Sequence, residues 1–96
     1  MKLFYTPESI EDLERLREFI AVENPKSAQR ISSELVSGIS KLKVLPNKGR
    51  KVMQSPNPEK IRDLSVGKYI VRYLILENEI HILRIWHRRE DWSNDV

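Results

Sequence analysis

Apolar side chains recur every three or four residues in two adjacent stretches of the first half of the chain. This spacing places them on one face of a helix, and each stretch begins with a helix-capping residue followed by proline, at Thr6-Pro7 and Asn24-Pro25. We therefore predict helices over residues 7–23 and 25–44, which their short link folds into an antiparallel hairpin. The apolar positions are Ile10, Leu13, Leu16 and Ile20 in the first helix and Ala28, Ile31, Leu35, Ile39 and Leu42 in the second.

Short β-rich stretches surround this hairpin. The predicted strands cover residues 2–5, 61–66, 68–76 and 79–87, and residues 88–96 form a tail. Residues 46–60 contain three prolines, one glycine and four Lys/Arg, which predicts a basic loop. The order predicts an α+β fold, with an N-terminal strand and an antiparallel two-helix hairpin packed on one face of a small antiparallel β-sheet.

The register of the last hairpin is predicted from charge. A two-residue turn at Glu77-Asn78 sets Arg72 opposite Leu83 and Arg84 opposite Val71, whereas a three-residue turn sets Arg72 against Arg84. We therefore predict the two-residue turn, which gives these strands one face suited to packing on the helices. The members of this core face are Tyr69, Val71, Tyr73, Ile75, Ile80, Ile82, Arg84 and Trp86.

The opposite face of these strands, here called the reverse face, is not cleanly polar. Because two helices cover one face of a small sheet, apolar side chains on the other are left near solvent, beside Arg72, His81 and His87. These apolar residues are Ile70, Leu74, Leu83 and Ile85. We interpret the reverse face as a docking groove for a partner peptide, bound as a helix or as an added strand. The alternative is that the tail or a loop of the same chain covers it.

Composition limits the chemistry further. The chain of 96 residues has no cysteine, which excludes disulfides, thiolate zinc sites and a cysteine nucleophile, and we expect neither a cofactor nor a metal. No apolar run approaches the ~20 residues that span a bilayer and no secretory signal is visible, so we expect a cytoplasmic protein without membrane contact. The charge is uneven, because residues 1–40 carry a net −2 and residues 41–96 a net +5. The basic half either faces an acidic partner or is ordinary solvated surface.

Three segments carry a resemblance to a known family. They are residues 5–13 (YTPESIEDL), 64–73 (LSVGKYIVRY) and 82–92 (ILRIWHRREDW). Their order and spacing resemble the RelE/ParE toxins of bacterial type II toxin–antitoxin systems, and the ParE-like branch more closely. The resemblance implies a single toxin domain over residues 1–96, with the fold predicted above and an antitoxin whose C-terminal segment wraps the toxin.

Members of the family have one of two activities, and the residues of this chain can be compared with those that each activity requires. RelE-type members cut messenger RNA in the ribosome with basic residues on the exposed sheet face, at positions that here hold Ile61, Asp63 and Ile70. This departure argues against a ribonuclease but leaves the question of an enzyme open. The remaining candidates for a messenger-RNA endoribonuclease are Arg72, His87 as acid or base, and Arg89 on the phosphate. The alternative for His87 is a hydrogen-bonded histidine at a strand end.

ParE-type members inhibit DNA gyrase without known hydrolytic chemistry, and the resemblance implies this activity together with a ParD-like antitoxin. Direct binding of nucleic acid stays open, and a toxin relic that retains only antitoxin binding is a further possibility. The candidate antitoxin-binding residues are Ile70, Arg72, Leu74, His81, Leu83 and Ile85. The candidate target-binding residues are Lys48, Arg50, Lys51, Arg88, Arg89 and Trp92, although solubility alone also explains the basic loop.

Overall fold

The computed structural model of the chain describes residues 1–90, over which it has two α-helices and five β-strands. The elements are β1 (Lys2–Tyr5), α1 (Pro7–Glu23), α2 (Pro25–Ser40), a 3-10 turn (Lys41–Lys43), β2 (Arg50–Lys51), β3 (Ile61–Val66), β4 (Tyr69–Ile75) and β5 (Glu79–His87). The predicted α+β class is confirmed. The candidate residue Trp92 lies outside the described residues.

The strands form one sheet in the order β1-β5-β4-β3-β2. β3, β4 and β5 form the predicted antiparallel meander, and β2 pairs antiparallel with β3. The N-terminal strand β1 runs parallel to β5, so the sheet as a whole is mixed. The helical hairpin provides the crossover that a parallel pair requires, which allows the first strand to lie beside the last.

Both helices begin at the predicted residues. The Thr6 hydroxyl accepts a hydrogen bond from the Ser9 N–H at 3.1 Å, and Pro7 occupies the first turn, where a missing N–H costs nothing. The predicted continuation of the second helix to residue 44 is wrong, because α2 ends at Ser40 and the chain tightens into the 3-10 turn.

The predicted apolar face of α1 is buried at Leu16 and Ile20 but not at its start. Ile10 is 46% exposed, while Ser9 and Asp12 on the neighbouring positions are buried. These two polar residues can be buried because each makes a hydrogen bond to the backbone. The Ser9 hydroxyl donates to the Thr6 carbonyl at 2.8 Å, and the Asp12 carboxylate accepts from the Ile85 N–H at 2.9 Å.

The core lies between the helical hairpin and one face of the sheet. Its members are Leu16, Ile20, Ala28, Leu35, Ile39 and Leu42 from the helical region and Leu64, Tyr69, Val71, Tyr73, Ile80, Ile82 and Ile85 from the strands. The fully buried Tyr73 is also hydrogen-bonded, since its hydroxyl donates to the Pro46 carbonyl at 2.7 Å and accepts from the Gly49 N–H. The core thereby fixes the start of the basic loop.

A β-bulge interrupts the pairing of β4 with β5. Near the turn the predicted two-residue register is present, but beyond Ile82 it shifts and leaves Leu83 as an extra residue. Arg72 therefore lies opposite Arg84, and the predicted pairs of Arg72 with Leu83 and of Arg84 with Val71 are wrong. The repulsion on which that prediction rested is removed by carboxylates from other elements.

The bulge also exchanges the faces of two neighbouring residues. Ile85 pairs with Val71 and is fully buried in the core, so the prediction that it lies on the reverse face and is available to an antitoxin is wrong. Trp86 pairs with Ile70 and lies on the reverse face, so its predicted place on the core face is also wrong.

The predicted loop over residues 46–60 contains a strand, because β2 pairs with β3 through Arg50 opposite Asp63. The approach to this strand requires glycine: a Cβ at Gly49 would lie 2.7 Å from the Tyr73 hydroxyl oxygen. From β2 onward, residues of segment 50–56 line one wall of a groove on the reverse face. The alternative that a loop of the same chain covers this face is thus realised over part of it.

Candidate functional site

A row of side chains crosses the reverse face from β1 to β3. The register places Phe4 beside His81, His81 beside Leu74, and Leu74 beside Ile61. Phe4 is 40% exposed, and its ring stacks on that of His81 with 5.1 Å between centroids. These four residues, called the cross-sheet row, form a mainly apolar surface on the side away from the helices.

A groove with a volume of about 890 Å3 adjoins this row on the reverse face, between segment 50–56 and strands β3, β4 and β5. Besides that segment, it is lined by Ile61, Asp63, Ser65, Ile70, Arg72, Leu83, Trp86, Arg88 and Glu90. Candidate antitoxin-binding residues and candidate target-binding residues therefore line a single groove, which we call the reverse-face groove.

Arg72 lines this groove, but its guanidinium is already paired. Its guanidinium donates two hydrogen bonds to the Asp63 carboxylate, at 2.8 and 2.9 Å, and the residue is 5% exposed. The same guanidinium lies 5.1 Å from the centre of the Trp86 ring. Arg72 and Asp63 thus neutralise each other, and the arginine covers the indole.

Among the three candidate nuclease residues, His87 and Arg89 are in contact, but Arg72 lies on the other face of the sheet. Arg72 faces the reverse side, whereas His87 pairs with Tyr69 in a row that faces the helices, and the two rings meet edge to face at 5.1 Å. The His87 Nδ1 accepts a hydrogen bond from the Arg89 backbone N–H at 3.0 Å, and Arg89 is exposed. This geometry is that of a hydrogen-bonded histidine at a strand end.

The candidate target-binding residues separate into two groups. Arg50, Lys51 and Arg88 line the reverse-face groove, although they come from opposite ends of the second half of the chain. Lys48 instead lines a depression between α2 and β3.

Sequence reasoning missed the contacts that secure the edge of β5 where β1 ends. Thr6 and Asp12 from the first turns of the helical region bind the backbone of Ile82 and Ile85. Asp12 also accepts hydrogen bonds from Arg84, and this contact raises the pKa of the Arg84 guanidinium. The signal in the sequence was a carboxylate on the apolar side of a predicted helix, which requires a partner once buried.

Residues 3–92 match the family described as the ParE toxin of the type II toxin–antitoxin system parDE. The chain belongs to this family. Two relatives from Caulobacter vibrioides, Toxin RelE1 and Toxin RelE2, are 30% identical over 83 residues and 29% identical over 87 residues. The alignments cover 82% of this chain and 84% of RelE1, and 90% of this chain and 93% of RelE2.

The fold of this ParE-family toxin is also found in a solved structure titled as the chromosomal ParDE TA system from P. aeruginosa. The TM-score is 0.77 at 22% identity, over 91% of this chain and 95% of that one. At this identity the likeness concerns the fold. Within residues 1–90 of the toxin, no three His, Asp or Glu side chains are grouped so as to hold a metal ion.

Proposed function

We propose that this type II toxin acts by binding, as a ParE-like inhibitor of DNA gyrase, and that a ParD-like antitoxin silences it. The family match supports this proposal. The observation that carries it is the floor of the reverse-face groove, where Ile61, Asp63 and Ile70 stand at the positions that nuclease relatives are expected to fill with cations. Catalysis of RNA cleavage uses cations that hold the phosphate, and none of these three residues supplies one.

We assign the contact with gyrase to the cations Arg50, Lys51 and Arg88 on the rim of the groove. Each is exposed, and they converge on one surface from two separate segments. Basic side chains arranged in this way attract an acidic protein surface and raise the rate of association.

A supercoiling assay with purified toxin and gyrase tests the activity. We expect inhibition by the wild-type toxin, a weaker effect for Arg50→Ala/Lys51→Ala/Arg88→Ala, and full inhibition by a control with exposed cations removed elsewhere, Lys26→Ala/Lys43→Ala. Absence of any effect at stoichiometric excess, with no gyrase-cleaved DNA trapped, contradicts the proposal.

The names of the two Caulobacter relatives favour one second candidate, a RelE-like ribosome-dependent messenger-RNA endoribonuclease. Primer extension on translated messages after toxin expression tests it. Cuts within the ribosomal A site that disappear in His87→Ala/Arg89→Ala would establish the nuclease and displace the gyrase proposal. Normal growth on expression without an antitoxin would instead indicate a relic that only binds its partner.

We assign the antitoxin to the reverse face, where Leu74 and His81 of the cross-sheet row adjoin Leu83, Ile70 and Arg72 of the groove. Half-buried apolar side chains on this face gain stability when a partner excludes water from them. We further propose that the toxin works in the cytoplasm, where gyrase is found. Over residues 1–90, neither helix has the length and apolar character needed to cross a bilayer.

A further inference from the structure

A second concave surface lies between α2 and β3, where the helical hairpin meets the sheet. Its volume is about 520 Å3, and we call it the α2–β3 depression. Gly38 allows α2 to approach β3 closely here, because a Cβ at this position would lie 3.0 Å from a methyl carbon of Val66. Lys48 lines this depression, apart from the candidate target-binding residues of the reverse-face groove. It therefore needs an explanation of its own.

The charges that line the α2–β3 depression are mainly positive. Arg30 contacts Glu34 at 3.5 Å on the exposed side of α2, so these two charges offset each other. Lys41 and Lys48 are exposed, and within residues 1–90 neither makes an ion pair. Both ammonium groups are thus available to an anionic ligand.

Three hydroxyl groups add uncharged donors. Ser33 and Ser37 lie one turn apart on α2, and Ser65 lies on β3 across the depression from them. Over the part of the chain that the structure describes, the hydroxyls of these serines form no hydrogen bond. Ammonium and hydroxyl groups are the side-chain donors that contact phosphate oxygens in complexes with nucleic acids.

The open edge of β3 adds a backbone donor. β2 pairs with β3 only at Arg62 and Asp63, so beyond Asp63 this edge has no neighbouring strand among residues 1–90. The Ile61 carbonyl faces this edge, where it accepts a hydrogen bond from the Val52 N–H. Because successive residues of a strand direct their backbone groups to alternate sides, the N–H and the carbonyl of Ser65 face the same edge, beside the depression. The N–H is available to an anion.

We propose that the α2–β3 depression is a phosphate-binding site. Lys41 and Lys48 supply the positive charge, while the serine hydroxyls and the Ser65 N–H supply hydrogen bonds. The ligand is a phosphate-bearing molecule, either the backbone of a nucleic acid or a free nucleotide. This site goes beyond the proposed function, because it depends neither on gyrase nor on the antitoxin.

An acidic protein segment fits this surface less well. Peptides bind through apolar anchors that enter pockets. The apolar side chains that line the depression are Leu64, which is buried in the core, and Val66, which is half-buried and packs against it. The surface therefore offers donors and positive charge but little that could anchor a peptide.

The test uses the whole toxin in a low-salt buffer without phosphate or sulfate. Three probes are compared: inorganic phosphate, adenosine triphosphate and a random-sequence DNA duplex. Amide NMR shifts of Gly38 and Ser65 locate the site, and calorimetry gives the affinities. We expect all three probes to shift both amide signals. Tightest binding of the duplex would identify a nucleic-acid backbone as the ligand, and tightest binding of the triphosphate would identify a free nucleotide.

Matched charge variants test the role of the two lysines. We expect Lys41→Ala/Lys48→Ala to weaken binding of the tightest probe by about tenfold or more, because two phosphate contacts are lost. With the duplex, the slope of log affinity against log salt concentration should fall by about 2. Lys26→Ala/Lys43→Ala removes the same charge outside the depression and should bind nearly as the wild type does. Thermal unfolding establishes that each variant is folded.

A serine variant separates hydrogen bonding from charge. We expect Ser33→Ala/Ser37→Ala to weaken binding less than the lysine variant does and to leave the salt slope unchanged, because hydroxyls release no counterions. Three results overturn the inference: no saturable shift of the Gly38 and Ser65 signals with any probe, shifts that map to another surface, or equal weakening by Lys26→Ala/Lys43→Ala. Each of these results is independent of the outcome of the gyrase assay.

Discussion

Arg72 on β4 and Arg84 on β5 lie directly opposite each other, yet their guanidinium groups bind different carboxylates. Arg72 binds Asp63 on the neighbouring strand, and Arg84 binds Asp12 on α1 at 2.8 Å. Two like charges facing each other across a sheet are destabilising unless neutralised. The chain neutralises each from a different direction, so this register connects the sheet to the helical hairpin.

We predict that Asp12→Ala lowers the free energy of unfolding by about 2–4 kcal/mol. The substitution removes the carboxylate that accepts two hydrogen bonds from Arg84 and leaves the buried Ile85 N–H without its acceptor. The loss stays moderate because the Arg84 side chain is 38% exposed and water solvates part of it. Urea denaturation measures the change, with the exposed Glu14→Ala on the same helix as control. Equal stability of the two variants would refute the importance of this contact.

The two α-helices and the strands other than β2 could be predicted because each has a local signal. The Thr6-Pro7 cap, the helical apolar periodicity and the alternation around Tyr69 and Tyr73 all act within a few residues. The parallel placement of β1 beside β5 could not be predicted in this way, since residues far apart in the chain decide it.

The bulge at Leu83 explains most of what was mispredicted in the candidate site. Ile85 and Trp86 are adjacent apolar residues, so alternation fits with either one facing the core. One clue to the bulge was present in the sequence, because strict alternation along the strand placed the charged Arg84 on the core face. A charged residue does not suit the core face. The bulge moves Arg84 to the opposite face, because every residue after the extra one changes sides.

We predict that Ile85→Ala lowers the free energy of unfolding by about 2–5 kcal/mol, because it opens a cavity in a fully buried part of the core. Leu83→Ala should cost less, about 1 kcal/mol, since Leu83 is only half-buried. Urea denaturation of both variants measures the difference. A larger loss for Leu83 than for Ile85 would contradict the register.

A pair of substitutions on the reverse face tests whether the antitoxin binds there. We predict that Leu74→Asp/Leu83→Asp weakens the complex with the cognate antitoxin by several kcal/mol, because two apolar anchors are lost and two charges enter the interface. Val22→Asp/Val44→Asp is the matched control, since these residues are 82% and 81% exposed and belong to the helical side. Calorimetry with purified antitoxin measures the affinity. Unchanged affinity of a folded Leu74→Asp/Leu83→Asp variant would place the antitoxin elsewhere.

The tyrosines predict how stability changes at alkaline pH. Burial raises the pKa of Tyr5, Tyr69 and Tyr73. Above pH about 10 the unfolded chain loses protons that the folded chain keeps, so the free energy of unfolding should fall as pH rises. Urea denaturation across this range measures the slope. Tyr73→Phe should be less stable at neutral pH, because it loses two hydrogen bonds, but should show a shallower decline; an unchanged slope would contradict the assignment.

The pair of Arg72 with Asp63 separates a structural role from a catalytic one. We predict that Asp63→Asn costs about 3 kcal/mol, because it leaves a guanidinium of 6% side-chain exposure without its counter-charge, and that Arg72→Met/Asp63→Asn recovers part of this loss. Urea denaturation of both single variants and the double variant gives their coupling energy. Growth assays on the folded double variant then test function. A toxin that acts by binding through Arg50, Lys51 and Arg88 should still arrest growth without Arg72, whereas loss of toxicity at retained stability would indicate that Arg72 takes part in the toxic reaction and would favour the nuclease.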